Sequence, residues 1–99
     1  MIDLNELAKV MCDAAQKREQ NGAAIKTDTV SMLKHTATEV VDCFKHNGVC
    51  LSSTFPSELA DIIACVLIIA GIHRIDIERA LNACYEKNKA RAEGKGDKK

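Results

Sequence analysis

The sequence predicts an all-α protein, a single domain built as a four-helix bundle. Apolar residues recur at the spacing of a helix in four segments of the 99-residue chain. Residues typical of helix starts and ends separate these segments, and no β-hairpin pattern lies between them. A chain of this length has room for one hydrophobic core. We therefore expect one helical domain over residues 1–91 and a charged, frayed tail over 92–99.

The first two helices are placed by their apolar period and by the residues at their ends. We expect the first helix over about 4–19, ended by the Asn-Gly pair that follows it. Thr27 and Asp28 are both good N-caps for the second helix, which should run to about His46, where another Asn-Gly pair closes it. Its apolar positions are Val30, Leu33, Ala37, Val40, Val41 and Phe44.

The third helix is the most apolar segment of the chain. We expect it to start at Pro56, with Ser57 able to act as the N-cap, and to run to about Ala70, where Gly71 supplies a stop. Every residue over 62–69 is apolar, so each face of the helix is hydrophobic and must be buried. Three other short helices with polar faces cannot surround it. We therefore expect an obligate homodimer or a dimer of dimers, with this helix near the interface.

The fourth helix should begin after Asp76, a good N-cap, and run from Ile77 to about Arg91. Lys87 and Arg91 share one face near its end, with Asn88 beside them. The helix dipole favours cations at this end, which accounts for them without any function. The functional alternative is a clamp for phosphate oxygens, with Asn88 bonding a sugar or base.

Composition argues against several classes of protein. The formal net charge is zero and aromatic residues make up only 3% of the chain, which argues against nucleic-acid binding. The five cysteines form no CxxC pair, so we expect free thiols in a reducing cytoplasm. The apolar run 62–71 has about half the roughly 20 residues that a membrane span needs. We therefore expect neither a membrane helix nor a signal peptide.

Two pairs of carboxylates occur at three-residue spacing, so each pair shares one helix face. Glu39 and Asp42 lie in the second helix, and Glu58 and Asp61 open the third. If these helices pack antiparallel, the four acids can converge, and their repulsion would call for a cation. Ligation by oxygen alone suits Mg²⁺ or Mn²⁺, and Mg²⁺ is commonly held together with substrate phosphates. The pattern indicates metal-assisted nucleotide chemistry.

An interpretation without function accounts for part of this pattern. Acids in the first turn of a helix are favoured by its dipole, which explains Glu58. Glu39 and Asp42 lie in the middle or second half of their helix, where the dipole offers them nothing. Spacing alone therefore leaves both interpretations open.

Taken in order, these segments resemble the MazG-like all-α nucleoside triphosphate pyrophosphohydrolases. That family has a helix with E-E-x-x-E, a loop, and a helix with E-x-x-D that runs into an aliphatic stretch. The corresponding segments here are TEVVD at 38–42 and ELAD at 58–61, followed by IDIERAL and K-N-x-x-R. The resemblance covers roughly residues 25–91.

The resemblance implies a reaction and the residues that perform it. The reaction is Mg²⁺-dependent hydrolysis of an NTP or dNTP to the nucleoside monophosphate and pyrophosphate, of housecleaning type, in a homodimer or homotetramer. The residues it places at the metal and in catalysis are Glu39, Asp42, Glu58 and Asp61. Those it places against the substrate are Lys87, Asn88 and Arg91. The chain departs from the motif at Thr38, which replaces the first Glu, and at Asp42, which replaces the last, and both changes could weaken activity.

Two alternatives remain open. Phosphoribosyl-ATP pyrophosphohydrolase shares the helical superfamily and a similar metal motif. A non-catalytic helical oligomerisation or regulatory module would fit Thr38, which removes one acid from the motif.

Overall fold

The computed structural model describes residues 3–94, which form four α-helices joined by short connections. The helices are α1 (Leu4–Gln20), α2 (Thr29–Asn47), α3 (Phe55–Ile72) and α4 (Ile77–Ala92). This part of the chain contains no strand, so the all-α prediction is confirmed. Most of the tail predicted to fray, residues 95–99, lies outside the described residues.

Aspartate caps start three of the four helices. Asp3, Asp28 and Asp76 each accept a hydrogen bond from the backbone N–H three residues ahead, at 2.9–3.1 Å. Such a bond satisfies an N–H group that the first turn leaves without a partner, and it stabilises a helix by about 1 kcal/mol. The predicted caps Asp28 and Asp76 are confirmed.

α3 begins earlier than predicted. It starts at Phe55, after Thr54, with Pro56 in the first turn, where the missing N–H of proline is of no consequence. Ser57 lies inside the helix, so the prediction that it is the N-cap is wrong. The Thr54 side chain makes no cap bond to the backbone, and its hydroxyl donates instead to the Glu58 carboxylate at 2.9 Å.

α3 also ends later than predicted, because Gly71 allows close packing and does not stop the helix. The helix continues through Gly71 to Ile72. A Cβ atom at position 71 would lie 2.5 Å from the Cβ of Cys12 and 2.7 Å from the carbonyl oxygen of Ala8. Only glycine lets the backbone of α1 approach α3 this closely.

An arginine in the left-handed conformation ends α3. Arg74 has a φ of 51°. The N–H of Ile75 donates to the carbonyl of Ala70 at 2.9 Å, and the N–H of Arg74 donates to that of Gly71 at 3.2 Å. These two bonds form the Schellman motif, in which the left-handed residue is usually glycine. A non-glycine residue in that conformation costs roughly 1 kcal/mol.

α2 and α3 form an antiparallel hairpin. The last turn of α2 meets the first turn of α3, where Nδ1 of His46 lies 3.3 Å from Oε2 of Glu58. At the other end, Oγ1 of Thr29 lies 2.6 Å from Nε2 of His73. Between these ends Met32 is fully buried in the main core cluster. The antiparallel packing that the acid pairs require is therefore present.

α1 packs mainly on α3 of this hairpin, and α4 follows α3 after a short connection over 73–76. The core is formed by two small clusters, Ala15, Met32, Cys65 and Ile68 in one and Ala8, Leu67 and Ala70 in the other. α4 packs mainly against α1. At its start, Asn5 bonds the Asp76 side chain and the backbone N–H of Ile77, both at 2.9 Å. No residue of α4 is buried.

Large apolar side chains remain exposed on α2 and α3. Within the chain α3 buries only Cys65, Leu67, Ile68 and Ala70, because α1 and α2 cover just two of its sides. A single chain therefore leaves part of α3 exposed, although every face of the helix is apolar. The exposed residues that lie side by side on the hairpin, here called the apolar face, are Val40, Val41, Phe44, Leu59, Ile63 and Val66.

α3 is also the one helix within residues 3–94 that is long and apolar enough to cross a bilayer. Its mean hydropathy over Phe55–Ile72 is 2.0. Core helices of soluble proteins meet the same criteria, so this property does not decide location. The expectation of a protein without a membrane span stays a prediction.

Candidate functional site

Glu58 lies where α2, the loop and α3 meet, within a network of polar side chains. Its Oε1 accepts hydrogen bonds from the hydroxyls of Thr54 at 2.9 Å and Ser52 at 3.4 Å. Its Oε2 lies 3.3 Å from Nδ1 of His46, and Nδ2 of Asn47 is 3.4 Å from both carboxylate oxygens. The side chain is only 17% exposed. These neighbours hold the carboxylate in one orientation.

The same contacts favour the ionised form of Glu58. The hydrogen bond from Thr54 is the largest cause that lowers its pKa below the ordinary value of 4.5, and His46 and Asn47 act in the same direction. Partial burial acts the other way and is outweighed. Glu58 is therefore an anion at neutral pH, which is the form that binds a cation.

Asn47 connects the three segments that meet at Glu58. Its Nδ2 donates to the carbonyl oxygen of Cys43 at 2.8 Å, and its Oδ1 accepts the backbone N–H of Ser52, also at 2.8 Å. The first bond satisfies a carbonyl in the last turn of α2, and the second fixes the loop. Asn47 thereby positions both the loop and Glu58 relative to α2.

One acid of each predicted pair raises the pKa of the same buried thiol, that of Cys65. The pKa of Cys65 is raised first by burial, then by the negative charge of Glu39 and, to a smaller extent, that of Asp61. A hydrogen bond with Thr36 opposes this effect. The carboxylates of Glu39 on α2 and Asp61 on α3 therefore both lie close enough to Cys65 to raise its pKa.

The four predicted carboxylates are spread along the hairpin. Glu39 pairs with His35 one turn earlier on α2, with Nε2 3.4 Å from Oε1. Glu58 lies in the network at the turn, and Asp42 and Asp61 are exposed. No group of three or more His, Cys, Asp or Glu side chains is arranged to hold a metal in the described part of the chain. The four-carboxylate centre stays a prediction.

The three residues predicted to contact substrate lie on the exposed part of α4. Lys87, Asn88 and Arg91 are all exposed, and Nδ2 of Asn88 is 3.6 Å from Sγ of Cys84 one turn earlier. α4 packs mainly against α1 and begins at the end of α3 that is far from Glu58. The packing of α4 therefore does not bring these residues to the carboxylates within one chain.

Sequence reasoning missed the residues that surround Glu58. The sequence places His46 and Asn47 only at the end of the second helix, with no link to the acid. The signal that identifies them is the short connection over 48–54. Because it joins antiparallel helices, the polar last turn of α2 must face the first turn of α3.

An open groove of about 650 Å³ lies at the other end of α3, between α1 and the connection to α4. Charged side chains of both signs line it, including Lys9, Asp13, Arg74 and Asp76. None of the predicted site residues lines this groove. The candidate site is therefore the hairpin, and the groove is separate from it.

Comparisons with known proteins assign no family to this chain. It matches no family model, and no curated protein or solved structure is significantly similar to it. The resemblance to MazG-like enzymes therefore depends on the sequence motifs alone.

Proposed function

We propose that this protein is a Mg²⁺-dependent nucleoside triphosphate pyrophosphohydrolase. It would convert an NTP or dNTP and one water into the nucleoside monophosphate and pyrophosphate, as a cytoplasmic housecleaning enzyme. One observation carries the proposal. α2 and α3 pack antiparallel, as the convergence of the two acid pairs requires, and the charges of Glu39 on α2 and Asp61 on α3 both raise the pKa of the Cys65 thiol between them.

The donor set suits a hard divalent cation. Glu39, Asp42, Glu58 and Asp61 offer oxygen atoms only, and the lowered pKa of Glu58 keeps that side chain ionised at neutral pH. Mg²⁺ prefers such ligands, and Mn²⁺ accepts them as well. We assign these four side chains to the cation, which when bound would neutralise phosphate charge and polarise the attacked phosphorus.

The side chains of the chain itself contribute orientation and proton transfer. Thr54 and Asn47 hold Glu58 in place, so this carboxylate need not be ordered when the nucleotide binds. His35 orients Glu39 in the same way. One carboxylate of the set takes the proton of the attacking water while the bond to pyrophosphate breaks.

Lys87, Asn88 and Arg91 are assigned to the substrate. The two cations would bind phosphate oxygens, and Asn88 would bond the sugar or base. Because α4 packs mainly against α1, we place this contact between subunits of a homodimer or homotetramer, where α4 of one chain reaches the hairpin of another.

Pyrophosphate release from a panel of NTPs, dNTPs and phosphoribosyl-ATP in the presence of Mg²⁺ tests the proposal. The preferred substrate separates nucleotide housecleaning from the phosphoribosyl-ATP reaction. Asp61→Asn and Glu58→Gln should each lower turnover by at least about a hundredfold, because loss of a group that merely hydrogen-bonds a metal ligand already costs about 10–100-fold. Glu86→Gln, an exposed acid on α4, is the matched control and should leave turnover unchanged. The absence of turnover on every substrate, with no Mg²⁺ binding in calorimetry, would overturn the proposal.

Thr38 favours a second candidate, a non-catalytic helical oligomerisation or regulatory module. It stands where the family motif has a glutamate, and its hydroxyl donates to the carbonyl of Lys34 in its own helix at 3.0 Å. Thr38 therefore supplies no carboxylate to the site. Thr38→Glu should increase the pyrophosphate release of an enzyme but should not create turnover in a protein that lacks the rest of the site.

A further inference from the structure

We infer that the groove between α1 and the connection to α4 binds a free α-amino acid, with the ligand carboxylate on Lys9 and Arg74 and the ligand ammonium on Asp13. The volume of the groove is about 650 Å³, within the range of roughly 300–1,000 Å³ that is usual for small-molecule sites. None of the proposed metal or substrate residues lines it. The inference therefore does not depend on the proposed function.

Small residues form an apolar floor to the groove. Ala8 and Cys12 on α1 and Ala70 on α3 all line it, and each is at most 5% exposed. Gly71 lies beside them, and its lack of a Cβ atom lets the two helices approach closely. Because none of these residues has a long side chain, the space above the contact stays open. Ile75 adds an apolar wall, so the hydrocarbon side chain of a ligand can be buried there.

One face of α1 supplies a polar rim to the groove. Lys9, Asp13 and Gln16 line it, and their spacing of four and three residues places them on the same face of the helix. A Lys and an Asp at four-residue spacing can pair, yet within residues 3–94 neither Lys9 nor Asp13 forms an ion pair. The Gln16 side chain makes no hydrogen bond within that range either. These three polar groups are therefore available to a ligand.

The second acid of the groove is engaged by the fold. Oδ1 of Asp76 accepts hydrogen bonds from the Asn5 side chain at 2.9 Å and from the backbone N–H of Arg79 at 3.0 Å. These bonds hold the start of α4 in place. Of the two acids that line the groove in the described part of the chain, Asp13 is thus the one that can receive a cationic group of a ligand.

Arg74 lines the groove from the connection to α4 and is held in an unfavourable conformation. Its φ of 51° occurs at the position that ends α3, where glycine is usual. In the chain as far as the structure describes it, the guanidinium makes no ion pair and no hydrogen bond. The arginine side chain therefore does not offset the cost of this conformation. Such unfavourable backbone conformations cluster at functional sites, and we assign this one to the binding of an anionic group.

The charges of the groove favour a zwitterion. The guanidinium of Arg74 can bind a carboxylate through two parallel hydrogen bonds, and the ammonium of Lys9 can donate to the same group. Asp13 lies about 6 Å along α1 from Lys9, one helical turn away. In an α-amino acid the carboxylate and the ammonium are bonded to one carbon, so a single small molecule can contact both side chains.

The same charges disfavour a phosphate ligand. Lys9 and Arg74 balance Asp13 and Asp76, so a neutral zwitterion enters the groove without a net change in charge. A multiply charged phosphate would be repelled by both acids. The groove therefore differs in chemistry from a site that binds nucleotides.

NMR titration of the isotope-labelled full chain with each of the twenty protein-forming L-amino acids tests the inference. Saturable shifts should appear at amides that line the groove, such as those of Cys12 and Gly71, and L-leucine should bind better than polar amino acids because the floor is apolar. Isoamylamine lacks the carboxylate of leucine, and isocaproate lacks its ammonium. Each analogue should bind at least about tenfold more weakly than L-leucine, because it loses charge-assisted hydrogen bonds.

Three variants separate ligand binding from stability. Arg74→Gly should weaken the binding of L-leucine at least about tenfold but raise the free energy of unfolding, a combination that a purely structural role of Arg74 would not produce. Asp13→Asn should also weaken binding at least about tenfold, because it removes the partner of the ammonium. Lys17→Gln changes an exposed lysine of α1 outside the groove, and this matched control should leave binding unchanged.

Three outcomes would overturn the inference. The first is the absence of saturable shifts with every amino acid, and the second is binding that neither Arg74→Gly nor Asp13→Asn weakens. The third is inorganic phosphate that binds as tightly as the best amino acid, which would make the groove a simple anion site. Far-UV circular dichroism should show retained helix in each variant, because the substituted side chains are exposed. A loss of binding would then not reflect unfolding.

Discussion

Gly71→Ala tests how closely α1 packs against α3. The new Cβ would lie 2.5 Å from the Cβ of Cys12 and 2.7 Å from the carbonyl oxygen of Ala8. Carbon atoms in contact are normally about 3.5–4.0 Å apart, so the two helices would have to separate by roughly 1 Å. The atom at Ala8 belongs to the backbone, so a change of side-chain rotamer cannot relieve the overlap.

Two opposing effects determine the outcome of Gly71→Ala. Alanine favours the interior of a helix over glycine by about 1 kcal/mol. Overpacking a well-packed core costs about 1–3 kcal/mol, and it costs more when backbone must move. Separation of α1 and α3 would also loosen both core clusters. We therefore expect overpacking to prevail, with a net loss of about 2 kcal/mol in the free energy of unfolding.

Urea unfolding followed by far-UV circular dichroism measures this loss. All proteins are compared at one concentration, because self-association makes apparent stability depend on concentration. Ala14→Gly, at an exposed position of α1, isolates the difference in helix propensity and should cost about 1 kcal/mol. A Gly71→Ala protein as stable as the wild type, or more stable, would refute the close approach of the two helices.

Three further changes test the helix end and the network at Glu58. Arg74→Gly should raise the free energy of unfolding by up to about 1 kcal/mol, because glycine adopts the left-handed conformation without penalty, and a lower urea midpoint would contradict this. Asn47→Ala should lower it by about 1–3 kcal/mol and speed hydrogen exchange at the Ser52 amide, and unchanged exchange would show that the loop holds without Asn47. Because folding lowers the pKa of Glu58, its stabilising contribution is fully present above pH 4.5 and is lost as the pH falls through the folded-state pKa. Glu58→Gln should therefore be less stable than the wild type at neutral pH, with a difference that shrinks below pH 4.5, whereas a difference independent of pH would exclude this role.

Those parts of the fold that depend on short-range interactions could be predicted from the sequence. Asp28 and Asp76 bond to N–H groups only three residues away, so the starts of α2 and α4 are encoded locally. The helical period of the apolar residues identified the segments in the same way. The antiparallel packing of α2 and α3, which the acid pairs require, agrees with the short connection between these helices.

The two ends of α3 could not be predicted, because they depend on contacts with residues distant in the sequence and on a backbone conformation that residue type does not reveal. The role of Gly71 depends on Ala8 and Cys12, which lie about sixty positions earlier and contact it only in the folded chain. The left-handed residue that ends the helix is Arg74, and nothing in its local sequence identifies it. Ser57 was a reasonable N-cap by residue type, but the helix begins before it.

The surroundings of the candidate site show the same limit. The network at Glu58 forms between the last turn of α2 and the first turn of α3, and each turn alone looks like an ordinary helix end. The position of Lys87, Asn88 and Arg91 relative to the carboxylates depends on how α4 packs. In the single chain that packing involves mainly α1. Local sequence patterns carry no information about a contact that another subunit would supply.

Calorimetric titration with Mg²⁺ tests the central proposal most directly, because it asks whether α2 and α3 share one cation site. We predict saturable binding by the wild type that tightens with a non-hydrolysable nucleotide. Glu39→Gln on α2 and Asp61→Asn on α3 should each weaken that binding by at least about tenfold, because loss of a group that merely hydrogen-bonds a metal ligand already costs about 10–100-fold. A wild-type protein that binds no Mg²⁺ with or without nucleotide, or whose affinity is unchanged by either substitution, would contradict the proposal.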